Sequence, residues 1–159
     1  MREPKRTVPE NAYFHVTTRG NQKQRVFLQD QDYEKYLDLL RHYKRKFHCK
    51  IYAWCLMPTH VHLVLQVNKP MELAKIMQGQ SLAYAKWFNK KYTKVGHLWQ
   101  GRFKSKVMQD ETYVVDCINY IEMNPVRASM VKSPMDYPWS SYRYRVLGIE
   151  MPLLDQLVL

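Results

Sequence analysis

No apolar run in this 159-residue chain is long enough to cross a bilayer. Its first residues, Met1-Arg2-Glu3-Pro4-Lys5-Arg6, lack the apolar segment of a secretory signal, so a cytoplasmic protein is expected. Cysteine is scarce. Cys49, Cys55 and Cys117 are odd in number and form no Cys-x-x-Cys pair, which argues against a disulfide framework. Each sits among apolar neighbours and reads as a small buried hydrophobe. A zinc site built from His48, Cys49 and Cys55 has a spacing that fits no common template. Acidic residues are also in short supply, 14 against 25 Lys+Arg, for a net charge of +11. That excess implies an acidic partner, nucleic acid first and a membrane surface second. The membrane reading is the weaker one, because no basic amphipathic helix shows an exposed apolar face. There is no internal repeat and no domain boundary, so one domain over residues 1–159 is expected.

What is present suits a proper core. Hydrophobic residues make up 46% of the chain, with four Trp, twelve Tyr and five Phe. Residues 1–10 read as a basic arm. Asn11–Thr18 is aromatic and β-branched, the composition of a strand, and runs into the polar turn Arg19-Gly20-Asn21-Gln22. Asp30 reads as the cap of a helix whose stripe is Tyr33, Tyr36, Leu37, Leu40, Tyr43 and Phe47. Cys49–Met57 and His60–Val67 are strands joined by the short Pro58-Thr59 link, hence an antiparallel hairpin. Asn68 and Pro70 start a second helix with the stripe Leu73, Ile76, Met77, Tyr84, Trp87 and Phe88. Alternation over 102–107 predicts a strand with Arg102, Lys104 and Lys106 on one face and Phe103 and Val107 on the other. The order β-α-β-β-α-β predicts an α+β, ferredoxin-like antiparallel sheet with its two helices on one face. An additional C-terminal helix follows, capped by Asp110, with Val114, Cys117, Ile118 and Ile121 buried, and ending at Asn124-Pro125. Residues 126–159 form an extension, irregular over 126–145 and apolar enough near its end to pack back on the body.

The stretch Trp54–Gln66 organises the rest. His60 and His62 alternate with Val61, so on a strand both imidazoles point the same way, half of a metal site. A lone His-x-His is more often a pair of ordinary strand histidines, so the missing partners decide its meaning. The helix over 110–124 offers them. Tyr120 lies about a quarter turn from the centre of the buried stripe, and Asn124 sits one turn on along the same flank. Glu122 projects from the opposite flank and ranks below Asn124 as a ligand. The plain alternative for Tyr120 is an aromatic that closes the core edge.

Two histidines and one oxygen ligand leave a divalent ion open positions at which to polarise a phosphate oxygen. Tyrosine phenols ionise only near pH ~10, so such a nucleophile needs a neighbouring cation. The chemistry that suits these groups is phosphodiester transesterification. Attack by Tyr120 would leave a phosphotyrosine on one DNA end and a free hydroxyl on the other.

Five stretches, in order along nearly the whole chain, carry a family resemblance. They are Arg19-Gly20-Asn21-Gln22, Leu56-Met57-Pro58-Thr59-His60-Val61-His62 and His97-Leu98-Trp99-Gln100-Gly101-Arg102-Phe103-Lys104-Ser105. The later two are Tyr120-Ile121-Glu122-Met123-Asn124-Pro125-Val126-Arg127-Ala128 and Tyr137-Pro138-Trp139-Ser140-Ser141-Tyr142. The chain resembles the REP-associated tyrosine transposases of the HUH single-strand nuclease group. The resemblance implies that His60 and His62 bind a metal, magnesium or manganese, and that Tyr120 is the nucleophile. Asn124 falls where related transposases carry a glutamine ligand; it keeps the amide oxygen with a shorter reach. The implied substrate is single-stranded, hairpin-forming repetitive extragenic palindromic DNA, handled by a monomer or homodimer in the bacterial cytoplasm at the nucleoid. Candidate DNA contacts are Arg2, Lys5 and Arg6 of the arm, with Arg19, Asn21, Arg102, Lys104, Lys106 and Arg127. A rival from another class is a non-catalytic single-strand-binding module of the same fold, stacking bases on Tyr13 and Tyr52.

Overall fold

The computed structural model describes residues 7–158; the candidate contacts Arg2, Lys5 and Arg6 lie outside them. Four strands, β1 (Tyr13–Arg19), β2 (Lys50–Met57), β3 (His60–Gln66) and β4 (Lys104–Met108), form one sheet in the order β2-β3-β1-β4. All three pairings are antiparallel. Helices α1 (Asp30–Phe47) and α2 (Pro70–Tyr92) make the two crossovers, each skipping a strand, which is the split βαβ arrangement. The expected α+β, ferredoxin-like fold is therefore what the chain adopts.

Alternation divides the sheet residues between two layers. Phe14, Val16, Val61, Leu63 and Leu65 face α1 and α2, and with Tyr36, Leu40, Ile76, Met77, Tyr84 and Phe88 they fill the main core. The helices approach closely because Gly79 has no side chain: a Cβ there would sit 2.5 Å from the Tyr43 ring. The opposite face carries Val64, and over it α3 (Glu111–Glu122) packs with Val114, Ile118 and Ile121. Asp110 caps α3 by accepting from the Thr112 amide at 2.7 Å, as expected.

Several boundaries differ from expectation. The cap position of α1 is Gln29 rather than Asp30, because the buried Asp32 carboxylate reaches back to the amides of Leu28 and Gln29. Lys69, not Asn68, precedes α2. Gly101 turns the chain with φ +63°, so β4 begins only at Lys104, and Arg102 lies in the bend before it, off the Lys104/Lys106 face. Cys117 is half-buried on the flank of α3, not in its stripe. α3 stops at Glu122, and Asn124 opens a separate turn, α4 (Asn124–Arg127), as the missing Pro125 amide interrupts the ladder.

The extension is more ordered than its composition suggests. A 3-10 turn (Pro134–Asp136) and α5 (Tyr142–Leu147) form within it. It also covers the free edge of β2. Leu56 donates its amide to the Trp139 carbonyl at 2.8 Å, Ser141 bonds both backbone groups of Trp54, and Asp155 does the same for Ile51. Covering that edge removes a row of unpaired groups from solvent. Met151 and Leu153 are buried in the main core, as the apolar C-terminal composition implied.

Candidate active site

The register of β3 against β1 sets Thr17 opposite His62 and Arg19 opposite His60, and β4 adds Lys106 beside His15 and Lys104 beside Thr17. Directly paired residues share a face. His15, Thr17, Arg19, His60, His62, Lys104 and Lys106 thus occupy one surface, the part of the α3 side beyond that helix.

His60 and His62 stand side by side with ring centroids 5.1 Å apart. His62 is almost fully buried. Its Nδ1 lies 3.0 Å from Nε2 of His15 and 3.3 Å from Oγ1 of Thr17. Nδ1 of His60 lies 3.0 Å from Oγ1 of Thr59. Both rings are therefore held through Nδ1, and among the described residues neither Nε2 has a protein partner. Fixing one ring nitrogen so that the other keeps its lone pair outward is how metal-binding histidines are prepared. Burial depresses both: His60 to about 4, with Arg19 adding to the effect, and His62 to about 3, with His60, His15, Arg19 and Arg127 adding to it. Both imidazoles are neutral at physiological pH, the ligating form.

These depressed values carry a stability consequence. The unfolded chain takes up protons on its histidines as pH falls through about 6.5, whereas folded His62 does not until about 3. Stability is complete above about pH 6.5 and is lost as pH falls below it, at about 1.4 kcal/mol per pH unit for a fully buried ring. Urea titrations at pH 7 and pH 5 will show this slope, and His62→Gln will flatten it. An unchanged slope in the variant would show that His62 is not held neutral.

Tyr120 is 54% exposed on the flank of α3. The Arg127 guanidinium lies over its ring, 3.9 Å from the centroid. The same group donates to the Tyr120 carbonyl at 2.6 Å and to Oδ1 of Asn124 at 2.7 Å. Arg127 therefore binds the tyrosine, the amide and the α3–α4 break into one unit, close enough to His62 for its charge to act on that ring. Oδ1 of Asn124 keeps one lone pair, and its buried Nδ2 has no partner. Imidazole nitrogens and an amide oxygen are donor types that a divalent cation accepts.

Among the described residues no three His, Cys, Asp or Glu side chains converge as a metal cluster. The His48/Cys49/Cys55 zinc arrangement is thus not formed. Cys55 is buried, in register with His62, and burial pushes its thiol up to about 12, which keeps it protonated. Glu122 does project away from the Tyr120 flank. It is buried, accepts from Ser141 Oγ at 2.6 Å and is gripped by Arg145. Of the two aromatics the base-stacking rival needs, Tyr52 is buried beneath α3 and donates to Gln66 at 2.7 Å, and Tyr13 is half-buried against it.

Three of the quoted motifs meet at one end of the sheet. Gly20 donates to the Thr59 carbonyl at 2.8 Å, Asn21 to Leu98, and Gln100 to Arg19. A Cβ on Gly20 would fall 2.3 Å from the Gln24 carbonyl, so only glycine allows this approach. Arg19 is thereby placed beside His60. Asn21 gives its backbone N–H to this junction, and Arg102 borders a groove along α2 instead of the histidine surface. Lys104 and Lys106 do face that surface and are exposed. His15 and Thr17 are site residues that sequence reasoning missed. The only signal for them was alternation within Tyr13–Arg19, which needs the strand register to become meaningful.

Fold and site together define a split βαβ domain with a neutral histidine pair and, on a neighbouring helix, an exposed tyrosine. The chain belongs to the family of IS200-like transposases, whose sequence pattern matches residues 9–124. It is accordingly an enzyme of the tyrosine transposase class. A protein of Haemophilus influenzae named as a REP-associated tyrosine transposase is 27% identical over 135 residues, covering 74% of this chain and 76% of that protein. The REP-associated tyrosine transposase of Escherichia coli K12 is 25% identical over 139 residues, covering 82% and 74%. A solved REP-associated tyrosine transposase bound to a REP hairpin shares the fold with a TM-score of 0.74 at 20% identity, over 100% of this chain and 94% of that one.

Proposed function

We propose that the protein cuts and rejoins single-stranded DNA at REP-type hairpins, with Tyr120 as nucleophile. The observation that carries this reading is the pairing of two neutral, Nδ1-anchored histidines with a half-exposed tyrosine held by Arg127. The phenol oxygen of Tyr120 forms a bond to the scissile phosphorus, its proton passing to solvent. The bond from phosphorus to the 3′ oxygen breaks, and that oxygen takes up a proton and leaves as a hydroxyl. The 5′ phosphate stays on Tyr120, so the energy of the bond is kept for rejoining. His60 and His62 would hold a divalent ion, magnesium or manganese, with Asn124 as the oxygen ligand. When bound, such an ion supplies a Lewis acid for a non-bridging phosphate oxygen. Arg127 orients the phenol ring, and Arg19, Lys104 and Lys106 bind the backbone of the strand that crosses the histidine surface.

A labelled hairpin oligonucleotide from the host genome, incubated with the protein and Mn²⁺, should give a covalent adduct stable on a denaturing gel. The absence of adduct on every genomic hairpin would overturn the reading. Hairpin affinity should also fall steeply with salt. Three or four phosphate contacts give a log–log slope of about −2 to −3 on single strands. A flat response would remove the cationic surface from the account.

A further inference from the structure

We propose that the groove between β4 and the outer flank of α3 is a nucleotide subsite, in which Tyr113 stacks on one base flanking the cleaved phosphate. The inference rests on the reading of the chain as a single-strand DNA transferase and deepens it.

The groove has a volume of about 590 Å³ and is lined by His15, Lys106, Met108, Gln109, Tyr113 and Cys117. That is ample for one nucleotide. Its floor joins the histidine surface without a gap, because His15 is bonded to His62. Its walls offer the two things a single strand needs, an aromatic face and a cation. Tyr113 is 66% exposed, the most open tyrosine on α3. Lys106 rises from the facing strand, in register with His15. Asp110, at one end, is already engaged in capping α3.

Helical geometry ties this groove to the nucleophile. Tyr113, Cys117 and Tyr120 are spaced four and three residues apart, so they share one flank. Tyr113 and Tyr120 are separated by about 10 Å along the axis, or two turns. At 3.4 Å per stacked base, the nucleotide meeting Tyr113 lies within about three steps of the phosphate attacked by Tyr120. A core role does not account for Tyr113, whose neighbours Val114 and Ile118 supply the buried contact.

The test is a binding cycle on a hairpin oligonucleotide with single-stranded flanks, in EDTA, with an abasic site placed in turn at each of the first few flanking positions. Tyr113→Ala should weaken binding of the intact oligonucleotide by about tenfold, and Tyr113→Phe should bind as wild type. One abasic position should weaken the wild type to a similar degree and have no further effect on Tyr113→Ala, since both remove the same contact. Losses that add at every position, or a Tyr113→Ala variant that binds as wild type, would overturn the subsite. Adduct formation by the wild type with Mn²⁺ on the same oligonucleotide judges the underlying reading separately. Adduct with additive losses removes the subsite alone; no adduct with a non-additive pair leaves a strand-binding groove without the transferase.

Discussion

Tyr120→Phe should lower covalent adduct formation by a factor on the order of 10³ or more, as expected when a nucleophile is removed, while hairpin binding stays within about twofold. The substitution deletes one oxygen and little else. The ring is half-exposed, so no core contact depends on the hydroxyl. Arg127 lies over the ring face, and a phenyl ring offers that guanidinium a comparable surface. The two further Arg127 bonds go to the Tyr120 carbonyl and to Asn124, neither of which the substitution touches. Folding and strand binding should therefore persist while the chemical step is lost. The adduct is read on a denaturing gel and binding by anisotropy with the same labelled hairpin. An adduct of wild-type yield in the variant would transfer the nucleophile's role to another residue, with Tyr113 on the same flank the first to test.

Arg145→Met should cost about 3 kcal/mol of stability, more than Glu122→Gln. Glu122 is 1% exposed and sits at the last turn of α3, two residues from Tyr120. Its carboxylate is held by Arg145 from α5 and by Ser141, which in turn bonds the Trp54 backbone of β2. An ion pair of this kind adds little net stability over an apolar pair, but removing one partner leaves the other without compensation. The two partners are not equivalent. Arg145 retains 35% exposure and can turn to water, whereas Glu122 cannot. Losing the arginine thus strands a buried charge, while Glu122→Gln keeps an acceptor for Ser141 and frees a cation that solvent can take up. Urea denaturation of both variants measures the difference, and equal small losses would show that the latch is not needed. The latch joins the end of α3 to β2, the strand beside His62, so adduct yield at Tyr120 should fall in Arg145→Met even where the protein is still folded.

Much of this architecture was legible because its signals are local. The stripes of α1 and α2, the Pro58-Thr59 hairpin and the Asp110 cap depend on residues a few positions apart, and the four strands follow in the expected order. Local reading erred where a distant group wins or an adjacent residue bends the backbone. Gln29 rather than Asp30 takes the cap position of α1 because Asp32 bonds back from the first turn and is itself buried against Lys91 and Tyr92 of α2. Arg102 leaves the cationic strand face because Gly101 turns the backbone. The segment expected to be irregular forms α5 and the cover over β2. Ser141 and Asp155 act by bonding the β2 backbone, which no spacing within the segment reveals.

The His-x-His stretch shows the same division. By itself the sequence determined that His60 and His62 share a strand face, since a strand alternates with period two whatever surrounds it. It also determined that Tyr120 lies off the buried stripe of its helix, since 3.6 residues per turn permit nothing else. Only the tertiary structure decided that His15 and Thr17 hold His62 from the neighbouring strand, that Arg127 covers Tyr120, and that burial keeps the histidine pair neutral. Those properties depend on register and desolvation, which come into being when β1, β3 and α3 meet.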